Sequence, residues 1–325
     1  MASQSLRPKI AFYWAASCGG CEITITELGM QLAVVGDLVD IVFWPCIMDF
    51  KYSDVEAMAN GEIDVCFFNG GIRTSENEHM AKLLRQKSKL MVAFGACAHE
   101  GGIPGLANLY DPESILERVY DTSPSLDDSA GTRPSPSTQV PEGEIDLPTF
   151  YDRVKTLAQT VAVDYYMPGC PPVVDQVGAV FQALLEGKIP EPGAVIGADG
   201  KTNCDVCTRQ KGLTGARIKE FKRPHEVEAD PEACFLPQGL ICSGPATRSG
   251  CGLPWIQGNM PCRGCYGPPD GVEDQGAKLL SAIAAIIDVE TAEDVQSAMD
   301  TMVDPVGTYY RFNLSDSILS ELKYR

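Results

Sequence analysis

The chain has 325 residues, 44% of them apolar, and 44 acidic against 26 basic side chains give it a net charge of −18. That length and apolar share allow two domains with proper cores, so disulfide staples are not needed. The acidity argues against nucleic-acid binding, which needs a basic surface, and no apolar run reaches the ~18 residues of a membrane span. Residues 1–9 are short and polar and carry no export signal, so the expectation is a cytoplasmic, reduced protein with thiols free for metal.

Residues 10–16 form a continuous apolar run, expected as a strand buried on both faces. Glu22 to Val35 reads as a helix, Val39 to Trp44 as a second strand, and a helix is expected near Ser53. Ile63 to Phe68 is a third strand, Glu76 to Arg85 a helix and Lys89 to Phe94 a fourth strand. The stretch 122–148, rich in Ser, Pro, Asp and Gly, reads as a surface excursion. Phe150 to Val161 is expected to be helical, Val163 to Met167 a strand and Val173 to Leu185 a helix. Apolar strands alternating with small-residue loops and helices predict a parallel α/β sheet. The boundary is placed near residue 190, giving domains 1–190 and 191–325. Beyond it, 201–269 has little periodic apolar material and needs something else to organise it. Gly276 to Val289 and Ala292 to Met302 read as helices.

The cysteines are the strongest signal. Eleven of thirteen lie mostly in C-x-x-C steps or beside Gly and Pro: Cys18, Cys21, Cys97, Cys170, Cys204, Cys207, Cys234, Cys242, Cys251, Cys262 and Cys265. Three chemistries use such patterns: disulfides, zinc and iron–sulfur clusters. Functional loops of an open parallel sheet lie at the carboxyl ends of its strands. Cys18 and Cys21 follow the first strand, Cys97 the fourth and Cys170 the last, so their loops can converge. Four thiolates from three loops suit one four-iron cluster. Zinc is the main rival, more so for the C-terminal groups, because C-x-x-C is also a zinc signature. Cys46 and Cys66 are read as packing residues.

The motifs C-G-G-C-E at 18–22, F-G-A-C-A-H-E-G-G-I-P-G at 94–105, M-P-G-C-P-P at 167–172 and P-C-R-G-C-Y-G-P at 261–268 resemble the small, electron-transferring subunit of nickel–iron hydrogenases. The resemblance is to the cytoplasmic methyl-viologen-reducing, heterodisulfide-reductase-linked type, over nearly the whole chain outside 122–148. It implies a flavodoxin-like domain followed by a loop-rich cluster domain with terminal helices. It also implies a proximal 4Fe-4S cluster on Cys18, Cys21, Cys97 and Cys170, and a distal 4Fe-4S cluster on Cys204, Cys207, Cys234 and Cys242. Cys251, Cys262 and Cys265 would hold the medial cluster. Relatives with a medial 4Fe-4S cluster supply a fourth cysteine before the position of Cys262. The interval G-L-P-W-I-Q-G-N-M-P contains none, so 3Fe-4S is expected there, with a non-cysteine fourth ligand as the alternative. The implied partners are the hydrogenase large subunit, which carries the catalytic metal, and a downstream iron–sulfur or flavin subunit.

Lesser signals are weighed beside these. Some relatives use an aspartate ligand, which brings Asp49 into view, although four cysteines already suffice. His99, near Cys97, is a hydrogen-bonding residue for the proximal cluster or an ordinary loop histidine, whereas His79 and His225 read as solvated. Glu22 is read as a helix-start carboxylate favoured by the dipole, with proton relay as the alternative. Three rival functions remain: a zinc-stabilised scaffold, a quinone-reductase subunit of the complex I type, and a flavodoxin proper. The second expects adjacent cysteines and lacks the C-terminal groups; in the third, the cysteines occupy the loops a flavin phosphate would need.

Overall fold

The computed structural model describes residues 7–127, 130–210, 212 and 217–324; parts of the polar N-terminus, the 122–148 excursion and the 201–269 stretch lie outside them. The N-terminal half runs β1 (Lys9–Trp14), α1 (Gly20–Thr26), α2 (Met30–Leu38), β2 (Asp40–Phe43), α3 (Tyr52–Ala57), β3 (Ile63–Asn69), β4 (Ile72–Thr74), α4 (Ser75–Lys87), β5 (Ser88–Phe94) and α5 (Ala96–Glu100). It continues through α6 (Pro112–Tyr120), β6 (Ser137–Val140), β7 (Gly143–Asp146), β8 (Phe150–Lys155), β9 (Tyr165–Met167) and α7 (Val174–Leu185). The strands build a five-stranded parallel sheet in the order β2-β1-β3-β5-β9.

Alternate side chains of each strand face opposite ways, and here both faces are covered. Ile10, Phe12, Val65, Phe67, Val92 and Phe94 pack against Ile25 of α1 and Val177, Val180 and Phe181 of α7. Ala11, Tyr13, Cys66, Phe68, Met91 and Ala93 pack against Met80, Ala81 and Leu84 of α4. This two-sided burial is why the strands read as continuous apolar runs rather than alternating ones.

After residue 200 regular structure is sparse: α8 (Asn203–Val206), α9 (Pro254–Gln257), α10 (Gln275–Ala284), α11 (Ala292–Asp300) and α12 (Pro305–Tyr309). A third core gathers Phe221, Phe235, Leu240, Leu279, Ile283 and Leu314 with Leu109. Polar contacts tie this half to the sheet. The buried Tyr266 hydroxyl donates to Gln176 Oε1 at 2.7 Å and accepts the Val173 N–H at 3.1 Å. Gln159 Nε2 donates to the Ser315 carbonyl at 2.9 Å.

Three expectations are corrected. The helix read over Glu22–Val35 is two helices, because Gly29 takes φ 56°, which an α-helix cannot accommodate. The helix expected over Phe150–Val161 is the strand β8 followed by turns. Antiparallel pairing with β4 wins over helical spacing there, and Asn108 accepts the Val154 N–H at 2.7 Å while donating to the Val154 carbonyl at 3.0 Å. The helix expected to reach Val289 stops at Ala284, since the following chain leaves to pair with Ile218 (Asp288 N to Ile218 O, 2.7 Å). The 122–148 excursion carries the exposed antiparallel hairpin β6–β7.

Candidate metal centres

Three loops at the carboxyl edge of the sheet bring four thiols together. The loop after β1 carries Cys18 and Cys21 and is fastened to the loop after β3 by paired Ala16 and Gly71 backbone bonds of 3.1 and 3.0 Å. The loops after β5 and β9 are joined where Gly95 N donates to Met167 O and Ala96 N to Gly169 O, both at 2.8 Å. Two glycines let this backbone reach the sulfurs. A β-carbon on Gly95 would stand 2.3 Å from the Cys21 sulfur, and one on Gly102 2.6 Å from the Cys97 sulfur. Cys21 and Cys97 are buried, Cys170 is half-buried and Cys18 is exposed.

Burial pushes the Cys21 thiol well above its ordinary range, and the neighbouring Cys97, Cys170 and Cys18 sulfurs add to the effect. Cys97 is pushed up to about 12, by burial first and then by Cys170 and Cys18. Buried, mutually repelling thiols such as Cys21 and Cys97 ionise only against a strong local positive charge, which bound metal supplies.

The C-terminal cysteines form two further groups. Cys204, Cys207, Cys234 and Cys242 line one cavity, together with Asn203, Arg209, Phe235, Leu236, Gly244, Pro245 and Ile256. Gly244 lies against two of them: a β-carbon there would stand 3.2 Å from the Cys204 sulfur and 3.5 Å from that of Cys242. The Arg209 guanidinium stacks on the Phe235 ring 3.8 Å from its centroid and donates to the Asp230 and Ala233 carbonyls at 2.8 and 2.7 Å.

Cys251, Cys262 and Cys265 form the other group. Their thiols are pushed up chiefly by burial, and the charges of Cys262 and Cys251 add to the effect on Cys265. This group is the middle one. Cys170 shares a groove with Cys251 and Cys265 on one side. On the other, Cys262 lies close enough to Cys242 for its charge to push that thiol up, and Ser243 N donates to the Cys262 carbonyl at 2.9 Å. Asn203, adjacent in sequence to Cys204, donates to the Cys262 sulfur at 3.4 Å.

No disulfide joins any of the thirteen cysteines, all of which are described. Among the described residues, no three His, Cys, Asp or Glu side chains close tightly enough to hold a single metal ion. A zinc site requires four ligands roughly 2.3 Å or less from one point. Grouped thiols of this kind have the donor chemistry that iron–sulfur clusters use.

The remaining residues fall differently from expectation. Glu22 lies in the first turn of α1 but caps nothing; its buried carboxylate accepts Trp44 Nε1 at 2.6 Å, Asn69 Nδ2 at 3.4 Å and the Cys46 thiol at 3.7 Å. Burial raises its pKa, against the opposing pull of those donors. Cys66 is a core residue of β3, whereas Cys46 is exposed and is no packing residue. Asp49 is exposed and pairs with Lys51. His99 is half-buried, its ring lies tilted against Tyr166 with centroids 4.8 Å apart, its Nδ1 is buried without a partner, and desolvation lowers its pKa to about 4. His79 and His225 are exposed. Sequence reasoning passed over Asn203, whose position beside Cys204 was the only available sign, and the buried Glu100, which left none.

A family model described as NADH ubiquinone oxidoreductase, 20 Kd subunit, matches residues 18–184. The iron–sulfur subunit of the F420-non-reducing hydrogenase of Archaeoglobus profundus is 39% identical over 98% of this chain and 99% of that protein. A subunit of the F420-non-reducing hydrogenase of Methanothermobacter marburgensis is 38% identical over 96% of each chain. Among solved structures, the NiFeSe hydrogenase from Desulfovibrio vulgaris Hildenborough shares the fold, with a TM-score of 0.51 at 17% identity over 82% of this chain and 96% of that chain.

Proposed function

The chain belongs to the family of F420-non-reducing hydrogenase iron–sulfur subunits, within the wider 20 kDa NADH ubiquinone oxidoreductase family, and we propose that it conducts electrons between a nickel–iron large subunit and a redox partner through three clusters. The observation that carries this reading is the order of the thiol groups. Cys18, Cys21, Cys97 and Cys170 hold the proximal 4Fe-4S cluster; Cys251, Cys262 and Cys265 the medial one; Cys204, Cys207, Cys234 and Cys242 the distal 4Fe-4S cluster. The groove shared by Cys170, Cys251 and Cys265 and the proximity of Cys262 to Cys242 support that succession.

The clusters supply one-electron carriers; the chain's own residues space, insulate and tune them. Gly95 and Gly102 admit backbone to the proximal sulfurs. N–H groups reach others, with Leu253 N donating to the Cys251 sulfur and Gly20 N to that of Cys18, both at 3.4 Å. Such bonds stabilise negative charge on sulfur. The groove beside Cys251 and Cys265 is walled by Pro254, Trp255, Met260 and Tyr266, and its only other thiol is Cys170. The interval between Cys251 and Cys262 holds no further cysteine, which supports a three-cysteine medial cluster of the 3Fe-4S type, whose oxidised form is read directly by EPR in anaerobically prepared protein. Its absence there overturns that assignment alone.

The division into 1–190 and 191–325, the large and downstream subunits as partners, and a cytoplasmic location belong to the same proposal. Among the described residues no helix is long and apolar enough to cross a membrane. The test is Cys18→Ser or Cys170→Ser in the assembled complex. Hydrogen-dependent dye reduction is expected to vanish while nickel stays in the large subunit. Unchanged turnover refutes the conduction role.

A further inference from the structure

The strongest unassigned feature is a concentration of unpaired positive charge in a chain whose net charge is −18. Several arginines elsewhere meet carboxylates: Arg7 with Asp40, Arg85 with Asp164, Arg133 with Asp121 and Glu113, Arg153 with Glu321, and Arg248 with Asp270. Arg223, Arg263 and Arg311 instead line one cavity of about 240 Å³, and among the described residues none of the three forms an ion pair.

The nearby carboxylates are engaged. Asp304, in the cavity wall, accepts the Gly307 N–H at 2.9 Å as the cap of α12. Glu226 accepts the backbone N–H of Arg223 at 2.6 Å, and Glu220 pairs with Lys222 at 2.8 Å. Arg263 is half-buried. Three guanidinium groups, with Lys222 beside them, face one concavity whose lining holds a single carboxylate, that of Asp304, so positive charge is in excess there. Guanidinium forks match the planar oxygens of carboxylate and phosphate. The volume lies below the ~300–1,000 Å³ typical of sites for larger organic ligands.

We propose that this cavity is an oxyanion site in which Arg223, Arg263 and Arg311 bind a phosphate or carboxylate group. It lies one residue from two cysteines read as cluster ligands, because its wall includes Ile241 and Arg263, the neighbours of Cys242 and Cys262. A bound anion therefore sits where it lowers the reduction potential of the adjacent clusters, an effect that rests on the conduction reading above; the binding itself does not.

The test is calorimetric titration of the cluster-loaded full chain with inorganic phosphate at constant ionic strength. Saturable one-site binding is expected. Arg311→Met should weaken it by about tenfold or more, the loss of one charge-assisted bond. Arg223→Gln, at an exposed loop position, should do the same and guards against a folding failure in the first variant. Iron content measured on the same samples separates loss of the anion site from loss of the clusters. Repeating the titration on the assembled complex distinguishes the sources. Binding retained there identifies a free oxyanion as the ligand, and binding lost only there identifies a carboxylate of the partner subunit; both support the site. Absence of saturable binding to the free chain, or binding unchanged in both arginine variants, overturns it.

Discussion

Gly95→Ala is the sharpest test of the proximal group, because two independent costs meet at one atom. Gly95 has φ 83° and ψ 163°, a region essentially reserved for glycine, and holding alanine there costs about 1–3 kcal/mol. The new β-carbon would stand 2.3 Å from the Cys21 sulfur. Favourable non-bonded separations begin near ~3.5 Å, so that sulfur must retreat by about 1 Å. Overpacking of this kind adds about 1–3 kcal/mol. The loop cannot simply yield, since Gly95 N and Ala96 N are bonded to the β9 side at 2.8 Å. The displaced atom is a proposed iron ligand, so the expected result is loss of the proximal cluster with the other two retained. Iron and acid-labile sulfide analysis with EPR of the reduced protein reads this out. Gly36→Ala is the control: it lies inside α2 with nothing within 4 Å of the added carbon, and there alanine should stabilise by about 0.5–1 kcal/mol. A Gly95→Ala protein with the full iron complement and unaltered spectra would falsify the placement of Cys21 in the proximal set.

Two further outcomes follow from burial. Glu100 is fully buried, and desolvation, with Asp316 adding to it, pushes its carboxyl up to about 8. The unfolded chain titrates near the ordinary ~4.3, so the folded state holds the extra proton between these values and stability falls as pH rises through that window, by about 1.4 kcal/mol per unit. Glu100→Gln should flatten that slope and melt higher than the parent at pH 8, measured anaerobically at pH 6 and pH 8; equal slopes in the two proteins contradict the argument. Stripping iron and sulfide should release 201–269 while sparing the sheet. Hydrogen exchange is expected to rise many-fold around Cys204, Cys234 and Cys251 and to stay slow in β1, β3 and β5; uniform protection would show that the cysteine-rich half folds without clusters.

Much of the site was legible before any coordinates, because its chemistry is written locally. Thiols beside glycine at C-G-G-C and P-G-C-P-P have no role in ordinary packing, and the apolar runs around residues 10, 65 and 91 carry the two-sided burial of a parallel sheet. What escaped was decided by distant partners. The stretch 150–155 has residues that tolerate either state, and pairing with β4 and the Asn108 clamp made it a strand. Glu22 was placed correctly at a helix start, but its carboxylate turned inward to Trp44 and Asn69, whose approach depends on how β2 and β3 flank β1.

The amino-acid sequence alone determined which atoms are available for metal and at which strand ends they emerge, since strand periodicity and loop composition are properties of neighbouring residues. Only the tertiary structure decided which thiols line one cavity, that Cys170 shares a groove with Cys251 and Cys265, and that three arginines far apart in the chain face one cavity. Those are distances between segments, and they are set by how the sheet and the cysteine-rich half pack together.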